Sequence, residues 1–405
     1  MIKSKRNSLK KKVKKKIKQY GKKILLKLYH LMVKVLPVSK DVILFESNLG
    51  KNYTGNPKAI YEKMVELGLD KKYKIVWVFA KPGQSIKGEA KQVKRQRLTY
   101  FYYCAIAKIW VFDCRHPRFL IKRPENFYVQ TWHGTPLKKL ALDMEVVDMG
   151  GVTDIEYYRN EFRKNSSVWD CLISQNHFSS ETFRRCFDFQ KTMLEIGYPR
   201  NDVLMNYNNK EYIDQLKRAY DIPLDKKVIL YAPTWRDNEY HAGKKYKFAS
   251  ALDFKRAKEA LEDEYIMIVK FHYLIADQVD WTGLEGFIYS FPAQQEISDL
   301  YLISDIMITD YSSVMFDYSL LKRPMFFFAY DMDNYRENLR GFYFDMLEEV
   351  PGPVSMTTEQ LIKDIKEYKK EEWEEKYKQY SEKFNHIDDG NASLHVIKEI
   401  EKHLK

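Results

Sequence analysis

The chain has 405 residues, 45% of them apolar and 15% aromatic. That exceeds the roughly 250–300 residues over which a single hydrophobic core keeps growing, so two domains are expected and extensive disorder is excluded. The net charge of +12 is uneven: residues 1–40 carry fourteen lysines and Arg6 with no acidic group, leaving 53 basic against 56 acidic groups elsewhere.

The basic head has a pattern. Val13, Ile17, Tyr20, Ile24, Leu28, Leu31 and Val35 recur at steps of three and four, which predicts an amphipathic helix over residues 1–37 that ends before Pro37. An apolar stripe flanked by lysines suits the surface of an anionic membrane. Ile24 to Leu36 is too short to span a bilayer, and Lys27 and Lys34 interrupt it. The expected location is therefore peripheral, on the cytoplasmic face of the cell membrane. With no zinc finger or aromatic RNA-binding signature, a nucleic-acid arm has only charge behind it, and no nucleic-acid partner is expected.

After Pro37 short apolar runs alternate with amphipathic stretches. Val42 to Phe45, Ile75 to Phe79, Ile109 to Phe112, Phe127 to Thr131 and Trp169 to Ile173 read as buried strands, with a helix over Pro57 to Leu67. The widely spaced Cys104, Cys114, Cys171 and Cys186 suggest neither a zinc site nor a disulfide framework. A polar boundary lies between Tyr198 and Lys227. Beyond it come strands at Val228 to Tyr231, Tyr265 to Phe271, Phe287 to Ser290, Ile306 to Thr309 and Met325 to Phe328, with a helix from Val314 to Leu321. From Thr358 the tail is charged and helical, and its end is expected to pack back across the first domain. Such alternation makes an α/β protein with mostly parallel sheets covered by helices, a Rossmann-like domain at 38–205 and a second at 206–405.

No G-x-x-x-x-G-K-[ST] loop and no G-x-G-x-x-G turn is present, so a phosphate must be held otherwise. Trp132-His133-Gly134-Thr135-Pro136 puts an imidazole at a strand's carboxyl end, where ligands of α/β proteins bind. A neutral imidazole there can take a proton from a hydroxyl; a lone histidine can equally be structural. Thr309-Asp310-Tyr311-Ser312-Ser313 precedes a predicted helix, so Ser312 and Ser313 can offer hydroxyls and N–H groups to a pyrophosphate or simply cap the helix. Lys270-Phe271-His272 and Pro233-Thr234-Trp235-Arg236 end neighbouring strands and add anion-binding groups. Asp331-Met332-Asp333 has the D-x-D form of a metal site, but a solvated loop is the simpler reading and no metal or other cofactor is expected.

Together these motifs resemble the CDP-glycerol glycerophosphotransferase family, the teichoic acid primases and polymerases of Gram-positive bacteria. The resemblance rests on Gln130 through Lys139, Gly197-Tyr198-Pro199-Arg200-Asn201-Asp202, Tyr231 through Asp237, and Ile297 through Pro324, with Gly341-Phe342-Tyr343 and Pro351-Gly352-Pro353 as further signatures. It implies a GT-B fold, two Rossmann-like domains facing a cleft, with the nucleotide held mostly by the second. It implies His133 as catalytic base and His272 as a second catalytic group. Trp132, Gly134, Thr135, Pro136, Arg200, Pro233, Thr234, Lys270, Phe271, Thr309, Ser312, Ser313 and Asp317 then line the substrate site. The implied partners are CDP-glycerol and a polyprenyl-diphosphate-linked saccharide acceptor, with self-association open. CDP-ribitol as donor, a glycosyl transfer from a nucleotide sugar, and a non-catalytic binder are the competing readings.

Overall fold

The computed structural model describes residues 2–147, 152–234, 251–271, 281–292, 295–331 and 341–404, with side chains in the opening helix described at Lys16 and from Gln19 onward. Among these residues two sheets carry the fold. The first has seven strands: β1 Val42–Glu46, β2 Lys74–Phe79, β3 Lys91–Lys94, β4 Ile109–Phe112, β5 Phe127–Gln130, β6 Cys171–Ser174 and β7 Thr192–Glu195, in the order β3-β2-β1-β4-β5-β6-β7. β1 runs parallel to β2, with Val42 beside Lys74, and to β4, with Ile43 beside Ile109. The second has six: β8 Lys227–Tyr231, β9 Tyr265–Val269, β10 Ile288–Ser290, β11 Ile306–Thr309, β12 Met325–Phe328 and β13 Val354–Ser355, in the order β10-β9-β8-β11-β12-β13. The expected α/β fold of the GT-B class, opened by a basic helix, is what these residues form.

The second sheet is buried on both faces, and its residues alternate between two cores. Val228, Leu230, Ile266, Ile268 and Met307 point into one, while Ile229, Tyr231, Met267, Val269 and Ile308 point into the other. This is why its central strands read as continuous apolar runs. In the first sheet aromatic side chains fill the same role, with Trp77 stacked 5.4 Å from Phe45 and edge-on to Tyr61 at 5.7 Å.

By contacts the chain divides into two compact units, Met1–Trp132 with Val168–Leu172 and Val396–Lys405, and His133–Ser167 with Ile173–His395. The chain's end belongs to the first unit: His403 stacks on Phe127 at 3.7 Å, and Glu401 accepts hydrogen bonds from Lys72 and Tyr73. Only this end of the tail packs there; the rest, to His395, belongs to the second unit.

The opening helix, α1 Ile2–Val35, ends two residues before Pro37. It packs on the helix Leu98–Ile106 through Tyr29, which is fully buried, 5.1 Å from Phe101, and bonded through its hydroxyl to the backbone of Ile121. The stripe Tyr20, Ile24, Leu28, Leu31 and Val35 is on the outside, with Ile24 66% and Val35 63% exposed. Among the described residues no helix is long and apolar enough to cross a membrane.

Three strands have no apolar run to announce them. Lys91–Lys94, Thr192–Glu195 and Val354–Ser355 are edge strands, short and polar as exposed edges tend to be. The expected helix from Val314 is only Val314–Tyr318, followed by a 3-10 turn Ser319–Leu321 that Lys322 closes at φ +54°. Its dipole is correspondingly small.

Candidate active site

The site is built on the carboxyl end of β5. Gln130 accepts a hydrogen bond from Trp132 N through Oε1 at 3.0 Å, and Asn56 donates to the carbonyls of Thr131 and Trp132, both at 3.1 Å. These bonds hold Trp132 at φ +51°, a left-handed conformation that a bulky residue adopts only when its surroundings impose it. Trp132 is buried at 8% exposure and Thr135, Pro136 and Leu137 are buried, yet His133 is exposed. The turn thus buries its neighbours and presents one imidazole.

What fixes that turn within the second unit is a charged pair. Arg200 donates from Nη1 to the His133 carbonyl at 2.8 Å and from Nη2 to Asp317 Oδ2 at 2.6 Å. Asn201 donates to the other oxygen, Asp317 Oδ1, at 2.9 Å. The two side chains keep only 18% and 4% exposure. Both Asp317 oxygens take part in this network, and through it Asp317 holds Arg200. Gly134 lies against Ser313, where an added Cβ would come within 3.1 Å of the Ser313 hydroxyl. His133, Gly134, Arg200, Ser313 and Asp317 therefore form one constellation.

Downstream of Pro136 the chain is zipped to Gly341-Phe342-Tyr343. Lys138 and Phe342 make an antiparallel bridge, Lys139 N donates to Gly341 O at 2.8 Å, and Tyr343 N donates to Leu137 O at 3.0 Å. The Tyr343 hydroxyl accepts from Leu140 N and donates to Asp143. This signature is a clasp on the segment that follows the histidine.

The strand tips of the second sheet are tied to one another. Thr309 is fully buried and donates to Ala232 O at 2.8 Å, while Asp310 accepts from Thr234 N at 2.8 Å. Thr309 thus braces the segment that leads into Pro233 and Thr234. Ser312 and Ser313 are half-buried, and the Ser313 hydroxyl makes no capping bond to the short helix after it. Lys270 lies just beyond β9 and donates from Nζ to Pro292 O at 2.8 Å and Gln295 O at 3.2 Å; burial lowers its pKa to about 8, opposed by Glu296. Phe271 points into the core, stacked 6.1 Å from Trp281. The ring's place is in packing. His272, Trp235, Arg236, Met332 and Asp333 lie outside the described residues. No cluster of three metal-ligating side chains occurs among the described residues.

In the first unit a second polar group crowns the strands. Glu46 at the end of β1 pairs with Arg95 at 3.1 Å, and burial, only partly offset by Arg95, raises its pKa to about 7. Asp113 beyond β4 accepts from Asn48 N. Neither group stands in a recognisable sequence motif.

Residues 28–402 match the model of the CDP-Glycerol:Poly(glycerophosphate) glycerophosphotransferase family. The chain belongs to this family. It is 44% identical over 408 residues to the teichoic acid poly(glycerol phosphate) polymerase of Bacillus subtilis strain 168, an alignment spanning 99% of this chain and 54% of that protein. The polymerase of the same description from Bacillus spizizenii is 42% identical over 96% of this chain and 100% of its own length. The chain thus spans about half of the first relative and all of the second. Among solved structures, the wall teichoic acid polymerase TagF superposes with a TM-score of 0.91 at 42% identity, over 96% of this chain and 95% of that one. A histidine-to-asparagine variant of TagF has also been solved after a soak with CDPG.

Proposed function

We propose that this family member transfers glycerol phosphate from CDP-glycerol to a hydroxyl of a polyprenyl-diphosphate-linked teichoic acid precursor, releasing CMP. The observation that carries this reading is the exposed His133 on a turn whose carbonyl is anchored by the Arg200–Asp317 pair, with Ser313 alongside. A base must reach the proton it removes, and a fixed backbone with a solvent-facing imidazole meets that need.

In this reading the His133 imidazole takes the proton of the acceptor hydroxyl as its oxygen forms a bond to the β-phosphorus of CDP-glycerol. The bond from that phosphorus to the bridging oxygen breaks, and CMP leaves with the electron pair. No covalent enzyme intermediate forms. Ser312 and Ser313, with the backbone N–H groups at the start of the helix Val314–Tyr318, and the Lys270 ammonium are the groups suited to the departing charge. Positioning and electrostatics supply most of the acceleration in phosphoryl transfer, and the fixed turn is consistent with that division of labour.

Attachment to an anionic lipid surface is part of the same proposal. The exposed apolar stripe of α1 lies among lysines, and each cation near anionic lipid adds about 1 kcal/mol to burial of the stripe. The acceptor, itself anchored by its polyprenyl chain, would then be met in two dimensions.

Mass spectrometry of products tests the proposal, using a synthetic lipid-linked acceptor with CDP-glycerol, CDP-ribitol or a nucleotide sugar. Acceptor extended by glycerol phosphate only with CDP-glycerol is the expected outcome. Extension by ribitol phosphate, or by a sugar, would replace the donor assignment.

A further inference from the structure

The loop before the last helix, Asn385 to Asn391, belongs to no motif above, yet it underlies the whole site. Asp388 Oδ1 accepts from Tyr198 N at 3.3 Å, and Asp388 sits so close to Gly197 that a Cβ there would fall 2.7 Å from Oδ1. Gly197 is also at φ +80°, so glycine is required twice over. Further along, Asn206 donates to Gly390 O at 2.8 Å, and Asp202 accepts from Ala392 N and Ser393 N. The loop is fastened along the stretch that carries Arg200.

A second arm leads from the same carboxyl. Gln175 is fully buried, its Oε1 accepting from Thr135 Oγ1 at 2.7 Å, and Ser179 Oγ donates to that threonine. Gln175 Nε2 and Asp388 Oδ2 are both sealed from solvent without a hydrogen bond of full geometry, but the amide is near enough to favour the ionised carboxyl. One arm thus reaches His133 through Tyr198 and Arg200, the other through Gln175 and Thr135.

We propose that the Asp388 carboxyl is a positioning group for the His133 turn, acting through both arms. This rests on His133 being the base. Burial, and then the charge of Asp317, raise the Asp388 pKa to about 8, against the bond from Tyr198 and the nearby Gln175 amide; Asp202 adds to the rise. On its outer side Asp388 shares a cavity of about 610 Å³ with Lys322, Arg323, Lys370, Glu374, Lys378, Glu382 and His386. Below pH 8 the acid is neutral and the arms hold. Above it, repulsion between the Asp388 and Asp317 carboxylates disturbs the stretch that carries Arg200 and loosens its grip on the His133 carbonyl.

The test compares Asp388→Asn and Asp388→Ala with the unaltered chain by CMP release across pH, with kcat and donor KM separated. The Asn variant keeps the neutral hydrogen-bonding shape. It should retain kcat within about threefold at pH 7 and show a smaller fall in kcat above pH 8 than the unaltered chain, the remainder being the loss of charge on Lys270. The Ala variant should lose 30- to 100-fold in kcat, with donor KM within threefold, the scale expected when a base is misplaced by about an ångström. An Asn variant as impaired as Ala, or one whose kcat falls above pH 8 as far as that of the unaltered chain, overturns the proposal.

An activity-independent reading separates this from failure of the transferase assignment. A carboxyl whose folded pKa is raised contributes stability that is complete below about pH 4 and is lost as pH rises to 8. The Tm of Asp388→Asn minus that of the unaltered chain should therefore rise between pH 5 and pH 8. If no CDP-glycerol is turned over but Tm behaves so, the reaction assignment fails and the titration of Asp388 stands; a flat Tm difference removes Asp388 whatever the reaction.

Discussion

Arg200 grips the backbone carbonyl of His133 at 2.8 Å, and it does so with the arm of its fork that Asp317 leaves free. The geometry is that of a two-pronged guanidinium, one prong for a carboxylate and one for a peptide oxygen. Lysine has the charge but not the fork. Arg200→Lys is expected to lower kcat for CMP release by 10- to 100-fold while leaving donor KM within threefold, measured by steady-state kinetics.

Removing the cation has a larger structural cost. Arg200→Ala leaves the Asp317 carboxylate, 4% exposed, with only Asn201 as partner among the described residues. Breaking one side of a buried pair costs about 3–5 kcal/mol, and the residual exposure of Arg200 puts this case at the lower end. Denaturant unfolding should show that loss, whereas Arg200→Ala with Asp317→Leu should recover much of it.

Gly134 faces Ser313 closely enough that a methyl group would press on its hydroxyl at 3.1 Å. If Ser313 meets the donor, Gly134→Ala should raise donor KM several-fold in steady-state assays, and Gly134→Val should raise it further. Both variants should melt within a few degrees of the unaltered chain, since the contact is with the end of one short side chain.

Lys270 gives a pH signature distinct from that of Asp388. Burial lowers its folded pKa to about 8, so its ammonium is charged below that pH and neutral above it. Donor KM is expected to rise above pH 8, and Lys270→Met should have a high KM that no longer varies there. The sign for stability follows from linkage: the unfolded lysine holds its proton up to about 10.5, so between pH 8 and 10.5 this group makes the fold more stable as pH rises. Denaturant melts of the two forms at pH 7.5 and pH 9.5 would show that difference.

Deleting α1 outright would confuse attachment with folding, because Tyr29 is buried against Phe101 and Ile121. Leu28→Glu with Leu31→Glu changes only the outward stripe, where the two residues are 37% and 53% exposed. Sedimentation with phosphatidylglycerol vesicles should fall at least tenfold in this double variant, and sedimentation of the unaltered chain should weaken with added salt. Melting temperature should not move.

Much of this architecture is legible in the chain. Central strands are buried on both faces and so spell themselves as apolar runs; Ile109–Phe112, Ile306–Thr309 and Met325–Phe328 have the bounds their residues predict. Edge strands such as Lys91–Lys94 are selected for charge and leave no such trace. At the site, His133 and Ser313 announce themselves by their strand-tip motifs. Asp317 and Thr309 share those motifs and also brace them, which a motif does not show, because it gives the residues and not which way they face. Gln175, Asn56 and Asp388 had no local signal at all. They act through partners 40 to 190 positions distant in the chain, and only the fold brings them together.

The most direct measurement is single-turnover CMP release from CDP-glycerol, with lipid-linked acceptor, by His133→Ala beside the unaltered chain. Loss of at least a thousandfold in the chemical step is expected, with CDP-glycerol binding by calorimetry and melting temperature both retained. A variant that releases CMP and extends the acceptor at the unaltered rate would contradict the account.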